Sequence, residues 1–197
     1  MKRFSAIVAG VALVAGGFCL TASAQRGGAW TTLFDSKSKT LDSFTMVGDA
    51  NWRIVDGAVQ ADKGMGGYLV TKQPYGDFEI KAEFWVDTPA NSGIFIRCAN
   101  PQMPSGNDCY EVNIYDTRPD PTYGTGAIVN VGKVTTPIKA ANKWNTYEIR
   151  AQGPHMVITL NGVKTVDVED AKHARGPFAL QYGAGVVKFR LVQVRAL

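Results

Sequence analysis

Between Tyr110 and Asp116 the chain reads Tyr-Glu-Val-Asn-Ile-Tyr-Asp, which sets a carboxylate, an amide and a phenol at every second position. Successive side chains of a strand point to opposite faces, so Glu111, Asn113 and Tyr115 share one face while Val112 and Ile114 point to a core. Such a row suits sugar hydroxyls, which both donate and accept hydrogen bonds; it equally suits an ordinary solvated sheet face. Asp116 has the wrong parity for that face but stands at the strand end, where parity ceases to bind. The preceding run, Asn91-Ser92-Gly93-Ile94-Phe95-Ile96-Arg97, puts Gly93, Phe95 and Arg97 on one face and Ser92, Ile94 and Ile96 on the other. If the two strands are neighbours, Arg97 and Glu111 can pair. An arginine beside a carboxylate lowers its pKa and keeps it ionised, which favours a base over a proton donor. Trp85, on a polar face with Glu79, Lys81 and Glu83, is either a flat platform for a sugar ring or a cover for the sheet edge.

These side chains need strands to hold them, and the chain supplies little else. Residues 78–86 alternate cleanly, with Phe78, Ile80, Ala82, Phe84 and Val86 on the apolar face. Residues 52–59 read as two strands around an Asp56-Gly57 turn, and residues 94–97 and 110–115 as two more. Further strands are expected at 144–151, 156–160, 163–168, 178–182 and 186–194, with Asn161-Gly162 as a hairpin turn. No amphipathic helix of three turns, internal repeat or interdomain linker appears. Short alternating runs punctuated by Gly, Asn, Asp and Pro predict an all-β sandwich or barrel, with two antiparallel sheets packed face to face.

The ends and the composition bound the setting. Met1-Lys2-Arg3, an apolar run from Ala6 to Leu20 and Ala22-Ser23-Ala24 read as a secretory signal peptide over residues 1–24. The run contains Gly10, Gly16 and Gly17 and falls short of the roughly 20 apolar residues that span a bilayer. One domain over residues 25–197 would then remain, secreted or periplasmic, with no membrane attachment after cleavage. Losing Lys2 and Arg3 lowers the formal charge from +4 to +2, and no basic cluster interleaved with aromatics argues for nucleic acid. Cleavage also leaves Cys98 and Cys109 as the remaining two of three cysteines. In an oxidising compartment they are expected to form a disulfide closing the loop 99–108, the alternative being two buried thiols. Neither has ligand-spaced partners, so no metal site is expected; Asp116 and Asp120 could offer oxygens to Ca²⁺ but lack the acidic density of a dedicated loop. His155 and His173 read as surface residues.

Several segments fall together in the order of a known family. They are Leu33-Phe34-Asp35, Trp52-x-Ile54-x-Asp56-Gly57, Gly67-Tyr68-Leu69-Val70-Thr71, Tyr75-Gly76-Asp77-Phe78-Glu79, the 91–97 run, Tyr110-Glu111-Val112, Gly126-Ala127-Ile128, Trp144-Asn145-Thr146-Tyr147 and Gly176-Pro177-x-Ala179-Leu180-Gln181. In these the chain resembles the 3-keto-disaccharide hydrolase family of exported bacterial proteins, over essentially the whole mature length. The resemblance implies a concanavalin A-like jelly-roll sandwich with a carbohydrate ligand on the concave sheet. Asn113 stands where the family commonly has Gln, and Tyr182-Gly183 follows Gln181 where Asp-His is common.

Glucanases of that fold place acids at alternate positions of one strand so that two carboxylates flank the scissile bond. In the row Glu111, Asn113, Tyr115 only the first is acidic, which argues against an ordinary glucanase. A sugar ketone at C3 changes the requirement: it acidifies the C2–H, so one base can expel the C1 substituent by elimination, and water can add afterwards. On this reading Glu111 is the base, and Arg97 and Asn113 are enolate and hydroxyl ligands. Tyr115 or Asp116 assists the leaving group, and Asn91 and Gln181 bind hydroxyls. A hydrolytic route with Asp116 as second acid stays open, and no cofactor is required. The competing expectation is a carbohydrate-binding module with the same face and no chemistry.

Overall fold

The computed structural model describes Met1 and residues 27–197. The expected signal peptide lies outside the described residues. Thirteen strands follow in order: β1 (Thr31–Phe34), β2 (Phe44–Gly48), β3 (Arg53–Val55), β4 (Ala58–Ala61), β5 (Gly67–Thr71), β6 (Phe78–Val86), β7 (Asn91–Ile96), β8 (Tyr110–Ile114), β9 (Trp144–Gln152), β10 (His155–Leu160), β11 (Val163–Glu169), β12 (Ala179–Ala184) and β13 (Val187–Ala196). The one helical element among the described residues is a 3-10 turn, Pro121–Tyr123, capped by Asp120.

The strands form two antiparallel sheets. The larger runs β11-β10-β9-β6-β13-β4-β3, with β1 also pairing with β13; the smaller runs β2-β5-β12-β7-β8. Neighbours such as β5 and β12 are far apart in sequence, as a jelly-roll sandwich demands. Alternation sets what each strand contributes. Phe78, Ile80, Ala82, Phe84 and Val86 of β6 are all buried between the sheets, against Ile94 and Ile96 of β7 and Val112 and Ile114 of β8. Phe84 stacks on Tyr147 of β9 with ring centroids 5.0 Å apart. The Tyr147 hydroxyl crosses the core to donate to the Asn113 carbonyl of β8 at 2.5 Å and accepts from the Gly126 amide at 2.8 Å. Full burial pushes its phenol far above the ordinary range, so it stays a donor. That bond ties the larger sheet to the strand that carries Glu111.

β8 is an edge strand, yet its backbone is not bare. The segment that follows it returns alongside: Val129 donates to the Glu111 carbonyl at 3.0 Å, Asn113 to Ala127 at 2.9 Å, and Gly126 to Asn113 at 3.1 Å. Covering an edge in this way removes a template for aggregation and also fixes the strand.

Candidate active site

Register in the smaller sheet assembles the site. Tyr68 of β5, Gln181 of β12, Gly93 of β7 and Asn113 of β8 lie side by side across four strands. The next row on the same outer face is Val70, Ala179, Phe95 and Glu111. The expected row of Glu111 and Asn113 is therefore one column of a larger array. In the first row Gly93 leaves a gap: a Cβ there would lie 3.0 Å from the Val112 carbonyl and 3.5 Å from Gln181 Oε1. Asn113 is fully buried, and its Nδ2 donates to the Tyr123 carbonyl at 2.7 Å. Its Oδ1 and Gln181 Oε1 are buried with no hydrogen-bond partner. Each such orphan costs about 1–3 kcal/mol, a penalty that donors from a ligand such as sugar hydroxyls would relieve.

Glu111 is half-buried, and among the described residues its carboxylate takes no hydrogen bond or ion pair. The disulfide-closed loop crosses above it, with Gly106 placed so that a Cβ would sit 3.7 Å from Glu111 Oε2. Burial pushes its pKa up, and the positive charge of Arg118 pulls it partly back. Tyr68 packs edge-on against Phe95, centroids 5.3 Å apart. Its phenol is pushed up by burial, drawn partly back by the neighbouring Gln181 amide and pushed up again by the Glu111 charge. Beside these groups opens a cleft of about 560 Å³, lined by Tyr68, Asn91 and Gln181 and by Gln102 and Met103 of the loop. No carboxylate lines it.

Other expected site residues lie elsewhere. Arg97 does not pair with Glu111. β7 ends at Ile96, and Arg97 takes a positive φ of 54°, which breaks the alternation and turns its side chain into the molecule. It is 1% exposed and donates to the Gly76 carbonyl at 2.8 and 3.0 Å, to Gly153 at 2.7 Å and to His173 at 3.3 Å, with Asp77 also at 3.3 Å. The cation whose charge acts on Glu111 is Arg118 instead. Asp116 is not free either: it accepts from the Thr125 hydroxyl at 2.6 Å and from the Ala140 and Ala141 amides at 2.8 and 2.9 Å. Asp120 is committed to Thr122 at the 3-10 turn. Tyr115 lies one residue past β8, with its backbone amide bonded to Thr125.

Trp85 sits on the outer face of the opposite sheet, paired with Trp144 across β6 and β9, with Lys188 over its ring at 5.0 Å. A second cleft of about 320 Å³ on that sheet is lined by Trp30, Glu79, Arg150 and Arg195. There Glu79 is bound by both arginines, and Arg195 covers Trp30 at 4.7 Å. His155 is exposed and paired with Asp167, as a surface residue should be. His173 is half-buried rather than fully exposed: its ring packs edge-on against Tyr110 at 5.0 Å, and its Nε2 is buried without a partner.

Cys98 and Cys109 are bonded to each other, and both lie buried with Val70, Phe95 and Ala179 beneath the loop. Among the described residues no group of three His, Cys, Asp or Glu side chains is placed to hold a metal ion, and no helix is long and apolar enough to cross a membrane. Sequence reasoning missed Tyr68 and Arg118. Tyr68 lies in a five-residue strand whose place beside β12 no local pattern encodes, and Arg118 in a loop without periodicity.

The 3-keto-alpha-glucoside-1,2-lyase-like domain family matches residues 29–195. The chain belongs to this family. A search among curated proteins gave no match. Among solved structures the chain is similar to a candidate glycosyl hydrolase from Parabacteroides distasonis, at 23% identity and a TM-score of 0.70 over 86% of this chain and 100% of that one. A second from the same organism gives 18% identity and a TM-score of 0.74 over 86% and 94%. The carbohydrate-binding module CBM66 from Bacillus subtilis gives 16% identity and a TM-score of 0.61 over 86% and 97%. At these identities the structures establish the shared jelly-roll fold.

Proposed function

We propose that the protein cleaves glycosidic bonds of glycosides bearing a ketone at C3 of the sugar, outside the cytoplasm, with Glu111 as the base. The observation that carries this reading is one half-buried carboxylate, Glu111, in the row next to two buried amide oxygens without partners, at the side of a cleft that no carboxylate lines. Double displacement needs two such groups; elimination needs one. The Glu111 carboxylate takes the C2 proton, and the C–H electron pair forms the enolate with C3. Collapse of the enolate restores the ketone, makes the C1=C2 bond and breaks C1–O. The departing oxygen takes a proton, for which Tyr68, beside Gln181 at the cleft wall, is the donor. Water then adds across C1=C2 to give the free 3-keto sugar.

Asn113 Oδ1 and Gln181 Oε1 would accept from ring hydroxyls over Gly93, and Asn91 would bind at the cleft wall. Arg118 would offset negative charge on the enolate, the part first expected of Arg97. The sequence requires no cofactor for this chemistry. The raised pKa of Glu111 suits a base, because proton affinity near the working pH strengthens proton abstraction.

Capture of a sugar without cleavage is the second reading, supported by the fold shared with CBM66 and by the single carboxylate. Assays of the wild-type and Glu111→Gln proteins on 3-keto-trehalose or 3-keto-lactose separate the two. Under the first reading the wild type releases free sugar, and Glu111→Gln falls about a thousandfold. Turnover unchanged in Glu111→Gln removes Glu111 as base, and binding without product favours capture.

A further inference from the structure

Two exposed methionines border the same cleft. Met65 is 94% exposed and Met103 68%, and both line the cleft together with Val47 and Pro104. Large apolar side chains this bare are scarce on the described surface, and these two reach the cleft from separate loops. Met65 precedes β5; Met103 belongs to the disulfide-closed loop that follows β7.

Neither is a loose tip. Asp49 Oδ1 accepts from the Met65 amide at 2.8 Å and from the Gly66 amide at 3.1 Å, and the Asp49 amide donates back to the Gly66 carbonyl at 3.0 Å. Gly64 and Gly66 flank Met65 with φ of 120° and 148°, backbone that only glycine adopts without strain. In the other loop Asn100 Oδ1 accepts from the Gln102 amide at 3.2 Å, the Asn100 carbonyl accepts from Met103 at 3.3 Å, and Ser105 bonds Asp108 at 2.8 Å. Pinned backbones thus hold two bare thioethers at the mouth of a cleft whose deeper wall is amide and phenol.

Resting on the glycoside reading of this cleft, we infer that Met65 and Met103 form the subsite for the group at C1 and that this group is flat and apolar, an aryl aglycone rather than a second sugar. Thioethers contact aromatic rings favourably and adapt to their shape, whereas they offer a sugar's hydroxyls almost nothing. The amides and Tyr68 bind the glycone; the methionines grip what leaves.

The test uses binding, so it does not depend on turnover. With methyl-¹³C methionine in the mature protein, phenyl glucoside and methyl glucoside are titrated separately and the methionine methyl signals followed. The expected result is ring-current displacement of the Met65 and Met103 methyls by phenyl glucoside, with binding about 10-fold tighter than for methyl glucoside. In Met65→Gln/Met103→Gln that advantage disappears while methyl glucoside binds as before. Equal affinities in the wild type, or an advantage that survives the double substitution, overturns the inference. Loss of both ligands in the double variant assigns the methionines to general cleft structure and overturns it too. Failure of the catalytic reading shows separately, as absent turnover of keto-glycosides with this preference intact.

Discussion

Glu111 is a carboxylate placed where ionisation is penalised and left without a partner, and its titration should register in stability as well as in rate. Burial raises its pKa in the folded chain above the unfolded value. Below the unfolded pKa both states are protonated and the group is neutral in effect. As pH rises through the folded pKa the folded chain must ionise a half-buried acid, and stability is lost. Glu111→Gln removes that loss, so its thermal midpoint should exceed wild type at pH 7 and match it near pH 4. A variant equally shifted at both pH values would mean the carboxylate is solvated. The same titration should set the rising limb of kcat/KM against pH, above the usual carboxylate range. Asn113 and Gln181 are the other residues whose chemistry exceeds their structural need, because each keeps one buried oxygen unpaired.

At the scale of elements, the loop between β7 and β8 governs the site. It lies over Glu111, supplies Gln102 and Met103 to the cleft, and is closed by Cys98–Cys109. A cross-link spanning 11 positions stabilises by about 3 kcal/mol through the unfolded state. Cys98→Ser/Cys109→Ser should lose about that much in urea denaturation. It should also move the rising limb of the pH–rate profile to lower pH, as a loosened loop lets water reach Glu111. An unmoved pH profile would separate the loop from the acid. The alternation in β6, β7 and β8 was legible in the sequence, down to which side chains enter the core, and so was the cysteine pair. β1, β2 and β5 were not read as strands: they are five residues or fewer, and β5 is buried at every position but Tyr68, which erases the polar–apolar signal. Family-specific segments, not periodicity, marked the Gly67–Thr71 stretch.

Across the whole molecule, Arg97 fastens one end of the sandwich. Its guanidinium joins the end of β7, the segment before β6, the β9–β10 turn at Gly153 and the segment before β12, thereby linking both sheets. Arg97→Met strips donors from buried carbonyls at several elements at once and should cost about 3 kcal/mol in urea denaturation. Turnover per folded molecule should be unchanged, because the guanidinium spends its donors on backbone carbonyls and Asp77 and none on Glu111. A loss of turnover at full stability would return Arg97 to the site. The sequence by itself determined the all-β class, the inward and outward faces of the longer strands, and Glu111 as the one acid of its row, because side-chain alternation is a property of the extended backbone. Only the tertiary structure decided that Tyr68 and Gln181 stand beside Gly93 and Asn113, that Trp85 belongs to the other sheet, and that a single left-handed residue turns Arg97 away. Strand order joins residues more than a hundred positions apart, and no local pattern carries that information.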